Sequence, residues 1–135
     1  MKWYIAARFE LKEEVRAMYK VLEARGHTIT DDWTKHQSIK PYDKNAEMAR
    51  QYTNDDLTGV MNADVVLILS DEAGIGMYTE LGVAMASQLL KGSPLIFITG
   101  EHTARNMFYF HQTVMRRPTA SIVDIIDEAE KMVKK

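Results

Sequence analysis

The stretch from Ala63 to Ala86 limits the folds open to this chain more than any other. Val65 to Leu69 is an unbroken apolar run rich in β-branched residues, which suits a strand covered on both faces. Ser70, Asp71, Glu72, Ala73 and two glycines, Gly74 and Gly76, come next, and Glu80 to Ala86 reads as a helix. Strand, loop and helix in that order make the unit from which parallel sheets are built. In such sheets ligands bind where the strands end at their carboxyl edge. The glycines let a ligand approach the backbone there, and Glu80 falls in the first turn of the helix beside them.

The rest of the chain repeats this alternation. Trp3 to Ala7 reads as a buried first strand, His27 to Thr30 as a short second one, and Leu95 to Thr99 as a fourth. Leu11 to Arg25 carries Val15, Met18, Tyr19, Leu22 and Ala24 near helical spacing, with Gly26 just past its end. Asn45 to Met61 is a further helix, with Ala46, Met48, Ala49, Leu57, Val60 and Met61 as inward positions. Thr53-Asn54-Asp55-Asp56 either breaks it or starts a new helix, since all three residue types cap N-termini. The helix from Glu80 runs to about Leu90 and stops at Lys91-Gly92-Ser93-Pro94. Residues 35–44 are polar, contain Pro41 and read as loop. Gly100 to Arg117 gives no periodicity to assign, and Ala120 to Val123 is either a short edge strand or the lead into the last helix. That helix, Ile122 to Lys134, places Ile125, Ile126, Ala129 and Met132–Val133 on one face, and Lys131, Lys134 and Lys135 complement its dipole. The pattern predicts a three-layer α/β/α fold around a parallel sheet, in one domain spanning 1–135.

Composition narrows the functions. With 46% hydrophobic residues, 27% charged and a formal net charge of -2, the chain can build a core, and its charge balance recommends no nucleic-acid groove while leaving a local basic patch open. It contains no cysteine, which excludes disulfides and thiolate metal sites and suits a cytoplasmic location. No apolar run approaches the roughly 20 residues that span a bilayer, and Met1 to Arg8 is too short for a signal peptide.

The loops at the strand carboxyl ends hold Arg8, Asp31, Asp32, Trp33, Asp71, Glu72, Tyr78 and Glu80, while Asp56 and Asp64 flank the helix entering the central strand. Several carboxylates around one crevice suit acid/base and nucleophilic work at a sugar, where two carboxyl groups divide the roles. One attacks the anomeric carbon and forms a glycosyl ester; the other protonates the leaving base. Glu80 is the candidate nucleophile.

Each residue also has a plainer reading. Glu80 can be an acidic residue favoured near a helix N-terminus, and spacing alone does not separate the two. Asp56 reads first as an N-cap for Leu57 onward, and Asp64 as the end of a turn. Tyr78 reads as a packing residue with a satisfied hydroxyl. Gly74-Ile75-Gly76 is a weak phosphate-loop signal, because the full dinucleotide fingerprint is absent. His27, His36, His102 and His111 form no i, i+4 pair on one helix, so no metal site is expected. The chain has no Gly-x-Ser-x-Gly elbow. Phe108-Tyr109-Phe110 reads as core or subunit interface.

Three blocks together resemble the nucleoside 2-deoxyribosyltransferases and their relatives, the deoxynucleoside 5'-monophosphate N-glycosidases. They are Tyr4-Ile5-Ala6-Ala7-Arg8-Phe9, Asp56-Leu57 through Ala63-Asp64-Val65-Val66, and Gly76-Met77-Tyr78-Thr79-Glu80-Leu81-Gly82-Val83-Ala84. The resemblance spans nearly the whole chain. It implies a flavodoxin-like fold, no cofactor, and cleavage of an N-glycosidic bond with transfer of the deoxyribosyl group to another base. By it Glu80 attacks C1', Asp56 binds or protonates near the base, and Tyr4 orients the Glu80 carboxylate. Gly76 lets the sugar lie against the backbone, and Ala6, Arg8, Phe9, Trp33 and Gly74 join it as substrate contacts. It further implies a homodimer or larger assembly in which a neighbouring subunit completes the pocket, with Asn106 and Phe108 placed to contribute.

The chain departs from the family pattern in two places. The transferases carry an aspartate six residues before the nucleophile, and here that position is Gly74. The monophosphate glycosidases place small hydroxyl residues around the phosphate, where this chain has Arg8 and Gly74. Arg8 can bind a phosphate as a charge-assisted fork or pair with Asp31 or Asp32. Hydrolysis of a 5'-monophosphate is therefore an alternative to transfer. A sensor domain that holds a nucleotide without cleaving it, or a purely structural partner, are rivals from other classes.

Overall fold

The computed structural model describes residues 1–133. Five strands, β1 (Lys2–Ala6), β2 (Thr28–Ile29), β3 (Val65–Leu69), β4 (Leu95–Thr99) and β5 (Val114–Arg117), form one sheet. Their order is β2-β1-β3-β4-β5, and every neighbouring pair is parallel. Three helices connect strands, α1 (Lys12–Ala24), α2 (Ala46–Asn62) and α3 (Gly76–Lys91), and a fourth, α4 (Ile122–Val133), follows β5. α1 packs with α4 and α2 packs with α3, so the sheet lies between two helical layers. This is the three-layer, flavodoxin-like arrangement.

The unbroken apolar run explains the centre of the sheet. All five residues of β3 are buried between β1 and β4, and a strand covered on both faces has no position for a polar side chain. Tyr4 lies beside Val66, Ile5 beside Leu67, and Ile68 beside Ile98. Burial of each large apolar side chain is worth about 1.5–3 kcal/mol, so these strands form a rigid floor for the loops above them. α1 buries Val15, Tyr19 and Leu22, and α4 buries Ile125, Ile126 and Ala129, at spacings that put each trio on one helical face. Gly92 ends α3 in the left-handed region (φ 81°), with its N–H bonded to the Gln88 carbonyl at 2.8 Å. That backbone conformation favours glycine.

Several boundaries differ from the sequence reading. α2 is continuous through Thr53–Asp56. The Thr53 hydroxyl bonds back to the carbonyls of Ala49 (2.8 Å) and Arg50 (3.2 Å), so it serves the helix it sits in instead of capping a new one. Met48 and Met61 are exposed, and the buried residues of α2 are Gly59 and Val60 near its end. α3 begins at Gly76, one turn earlier than expected. Phe9–Leu11 and Trp33–Lys35 form short 3₁₀ turns at the ends of β1 and β2. β5 falls in the stretch without periodicity; as the sheet's edge strand all four of its residues are only half-buried, so it has no apolar alternation to reveal it. Ala120–Ser121 lead into α4, where Ser121 Oγ accepts from the Asp124 N–H at 3.1 Å and Asp124 Oδ2 from the Ser121 N–H at 3.0 Å. Lys134 and Lys135 lie outside the described residues. No helix among the described residues is long and apolar enough to cross a membrane.

The topology opens one crevice. From β1 the chain moves outward to β2 and then returns past β1 to β3. The loops after β1 and β3 therefore leave in opposite directions, and a gap forms at their carboxyl ends.

Candidate active site

A crevice of about 760 Å³ occupies that gap, a volume within the range of small-molecule sites. Its floor is Tyr4 of β1, one wall is the 73–76 loop and the start of α3, and the other is α2. Ala7, Arg8, Phe9, Trp33 and the 36–40 segment complete the lining.

Glu80 is half-buried on the α3 wall. Because α3 starts at Gly76, Glu80 lies beyond the first helical turn, which contains no acidic residue. The helix-dipole effect fades within that turn, so the dipole does not account for a carboxylate at this position. Instead the Tyr4 hydroxyl, on a fully buried side chain of the first strand, donates a hydrogen bond to Glu80 Oε2. Burial pushes the Glu80 carboxyl up to about 7, against the lowering effect of that hydrogen bond, and the nearby Asp31 charge adds to the rise. Burial, reinforced by the Glu80 and Asp56 charges, likewise holds the Tyr4 hydroxyl well above its ordinary value, so it remains a donor.

Asp56 projects from the interior of α2, not from a helix start, so it is not an N-cap. It faces Asp31, at the end of β2, and His36. One nitrogen or oxygen from each of the three lies within 4.8 Å of the others, and His36 Nε2 is 4.0 Å from Asp56 Oδ1. Asp56 is pushed up to about 9, first by desolvation, then by the facing Asp31 carboxyl and the charges of Glu80 and Asp55. It is thus a carboxylic acid at neutral pH. His36 in turn stacks face to face on Tyr52 of α2, with ring centroids 3.8 Å apart.

Gly59 makes this approach of β2 to α2 possible. A Cβ there would lie 2.7 Å from the Asp31 Cβ and 3.1 Å from a Tyr4 ring carbon. Gly59→Ala is therefore expected to destabilise the fold by about 1–3 kcal/mol, read as a lower urea midpoint with an unchanged slope.

The remaining expected contacts divide. Arg8, Phe9, Trp33, Gly74 and Gly76 line the crevice. Trp33 is held by a 2.6 Å hydrogen bond from its indole Nε1 to the Ile5 carbonyl, and its ring meets Phe9 at 6.3 Å. Arg8 pairs with neither Asp31 nor Asp32: its Nε donates to Asp71 Oδ2 at 3.1 Å, with Glu10 at 3.8 Å. Asp71 is held below its ordinary value by the Ala73 N–H, assisted by Arg8. Asp32 is occupied by the Thr34 N–H and hydroxyl. Ala6 is sealed within the sheet beside Ile68, and Ala7 takes its place on the crevice wall. Asn106 caps the Phe108 N–H at 2.8 Å, Phe108 is exposed, and neither lines the crevice of a single chain. Tyr78 packs near Tyr109 at 6.1 Å, away from the crevice. Asp64 accepts from the Lys2 N–H at 2.8 Å and so ties β1 to β3.

Sequence reasoning missed His36, Tyr52 and the 37–40 segment. The available signal was length: the connection from β2 to α2 runs through residues 30–45, well beyond the usual, and long connections often carry function. The Asp31–His36–Asp56 trio brings together donor types that also serve metal ions, a grouping that histidine spacing along the sequence does not reveal. Two facing carboxyl groups beside a histidine are equally what an acid/base site needs, and the shifted Asp56 favours a proton there.

No family model and no curated protein matches the chain. Among solved structures it is similar to the CMP N-glycosidase BcmB of Clostridium botulinum, with a TM-score of 0.63 and 14% sequence identity over 97% of this chain and 99% of that one. At that identity the likeness establishes the shared fold.

Proposed function

We propose that the chain cleaves the N-glycosidic bond of nucleosides or their 5'-monophosphates through a Glu80 nucleophile, and passes the sugar to a second base when one is present. The observation that carries this reading is the placement of Glu80, bound by Tyr4, on the same crevice as Asp56, whose burial and acidic neighbours favour its acid form. Tyr4 occupies Glu80 Oε2, which leaves Oε1 to attack C1'. As the C1'–N bond breaks, its electron pair stays on the base nitrogen and Asp56 gives the base its proton. The products are a glycosyl ester on Glu80, a free base and an Asp56 carboxylate. In the second half, water or an acceptor base attacks C1', its proton returns to Asp56, and Glu80 leaves as carboxylate.

Hydrolysis of a nucleoside 5'-monophosphate is the second reading. Arg8 on the crevice wall favours it, since a guanidinium matches a phosphate. So does Gly74, whose missing Cβ leaves room beside Arg8: an added one would sit 3.3 Å from the Arg8 Cβ. One solved structure similar in fold is that of a CMP N-glycosidase. Association with a second subunit, bringing Asn106 and Phe108 to the crevice, completes the proposal.

The test is a panel of ribo- and deoxynucleosides and their 5'-monophosphates, followed for free base with and without an acceptor base. Base release from at least one substrate is expected, and exchange of bases marks transfer. Binding of a nucleotide without release would leave a sensor domain and overturn the catalytic reading.

A further inference from the structure

We propose that Asp31 is a positioning residue that shares one proton with Asp56, keeping Asp56 an acid before bond cleavage and a strong base after it. The inference rests on the acid/base role given to Asp56 above.

The geometry is independent of that role. Asp31 Oδ2 and Asp56 Oδ1 are buried oxygens with no hydrogen-bond donor among the described residues. Buried carboxylate oxygens without donors are strongly disfavoured. The two side chains come from different elements, the end of β2 and the middle of α2, and Gly59 lets them meet. A single proton held between them gives each oxygen a partner and removes one of two facing charges, as in carboxylate pairs generally.

The groups around the pair reinforce it. Tyr4 of β1, Tyr19 of α1, Asp55 of α2 and Glu80 of α3 face it from the packed elements, with Asp32 beside Asp31. Of these, the carboxylates disfavour a second negative charge on the pair, and the tyrosines are neutral. No lysine or arginine among the described residues pairs with either carboxyl; His36 Nε2 lies 4.0 Å from Asp56 Oδ1, and Arg8 Nε donates to Asp71 instead. Burial and like charge thus both favour one retained proton.

The consequence for the reaction is directional. When Asp56 gives its proton to the leaving base, two carboxylates face each other. That repulsion raises the drive to take a proton from the incoming water or acceptor base, so the second half-reaction is assisted by the same residue that supported the first.

Asp31→Asn tests this. The amide oxygen still accepts the Asp56 proton, but the like charge is gone. The basic limb of the kcat/KM profile is expected to move down by roughly one to two pH units, while the acid limb, set by Glu80, moves less. Carboxyl-carbon NMR of aspartate-labelled protein supplies a readout without substrate. The wild type should show one aspartate titrating far above the ordinary range; it should be lost in Asp56→Asn and lowered in Asp31→Asn. Activity unchanged by a chelator is expected. If the wild type releases base yet neither the basic limb nor the carboxyl titration moves in Asp31→Asn, the shared proton is overturned while the enzyme reading stands. Activity abolished by a chelator and restored by a divalent cation would also overturn it, by assigning the trio to a metal. If no substrate on the panel releases base, the enzyme reading falls, and the titration still decides the Asp31–Asp56 pair.

Discussion

Glu80→Ala and Glu80→Gln are each expected to lower base release by roughly 10³-fold or more, because removing a covalent nucleophile removes the pathway and not one contact among many. The glutamine variant separates chemistry from folding. Its amide oxygen can still accept from Tyr4, so the α3–β1 contact survives. The sign of the stability change also follows. Glu80 is raised to about 7 in the folded protein, so between its ordinary value and 7 the folded state holds a proton that the unfolded chain releases. The carboxyl therefore destabilises the fold increasingly as pH rises through that window. Glu80→Gln should melt higher than wild type at pH 8, with a smaller difference at pH 5. A variant that is as stable as wild type and retains wild-type base release would remove Glu80 from the mechanism.

Asp56→Asn is expected to lower release of poor leaving bases by about 10²–10⁴-fold, the usual span for a positioned proton donor. A substrate with an activated leaving group needs little protonation and should lose far less. Equal losses for both would assign Asp56 to binding alone. The pH profile carries the same information. Glu80 must be ionised to attack, so the rate rises with pH through about 7. Asp56 must be protonated to donate, so the rate falls through about 9. The resulting bell should lose its basic limb in Asp56→Asn and keep its acid limb.

Both results depend on a crevice whose two walls come from distant parts of the chain. Asp56 and Glu80 lie on different helices, and Asp31 reaches Asp56 only because Gly59 has no side chain in the way. The Tyr4 hydroxyl meets Glu80 across 76 positions of sequence. A substitution that shifts β2 against α2 would disturb Asp56 more than Glu80, which is held from β1.

The strands of the sheet's centre were readable from residues alone. Val65–Leu69 and Leu95–Thr99 keep the bounds that their apolar runs suggest, because a doubly covered strand admits no polar position. The ends of α1 and α3 were marked by Gly26 and Gly92, where the backbone turns left-handed. The edge strand β5 was not readable, since a half-buried strand with Arg116 and Arg117 in it has no alternation. Asp56 was misread as a cap because a cap and a mid-helix carboxylate look alike until the helix is seen to run through. Ala6 was expected as a contact, but it ends β1 sealed within the sheet, and Ala7, just past the strand, lines the crevice instead.

By itself the sequence determined the alternating α/β order, the buried central strand and the set of polar residues gathered at the strands' carboxyl ends. These follow from local periodicity and from backbone preferences that each residue carries with it. Only the tertiary structure decided which of those residues meet: that Tyr4 binds Glu80, that Arg8 turns to Asp71, and that Asp31 faces Asp56 beside His36. Proton affinities depend on burial and on neighbouring charges, and both are set by packing between elements that the order along the chain does not specify.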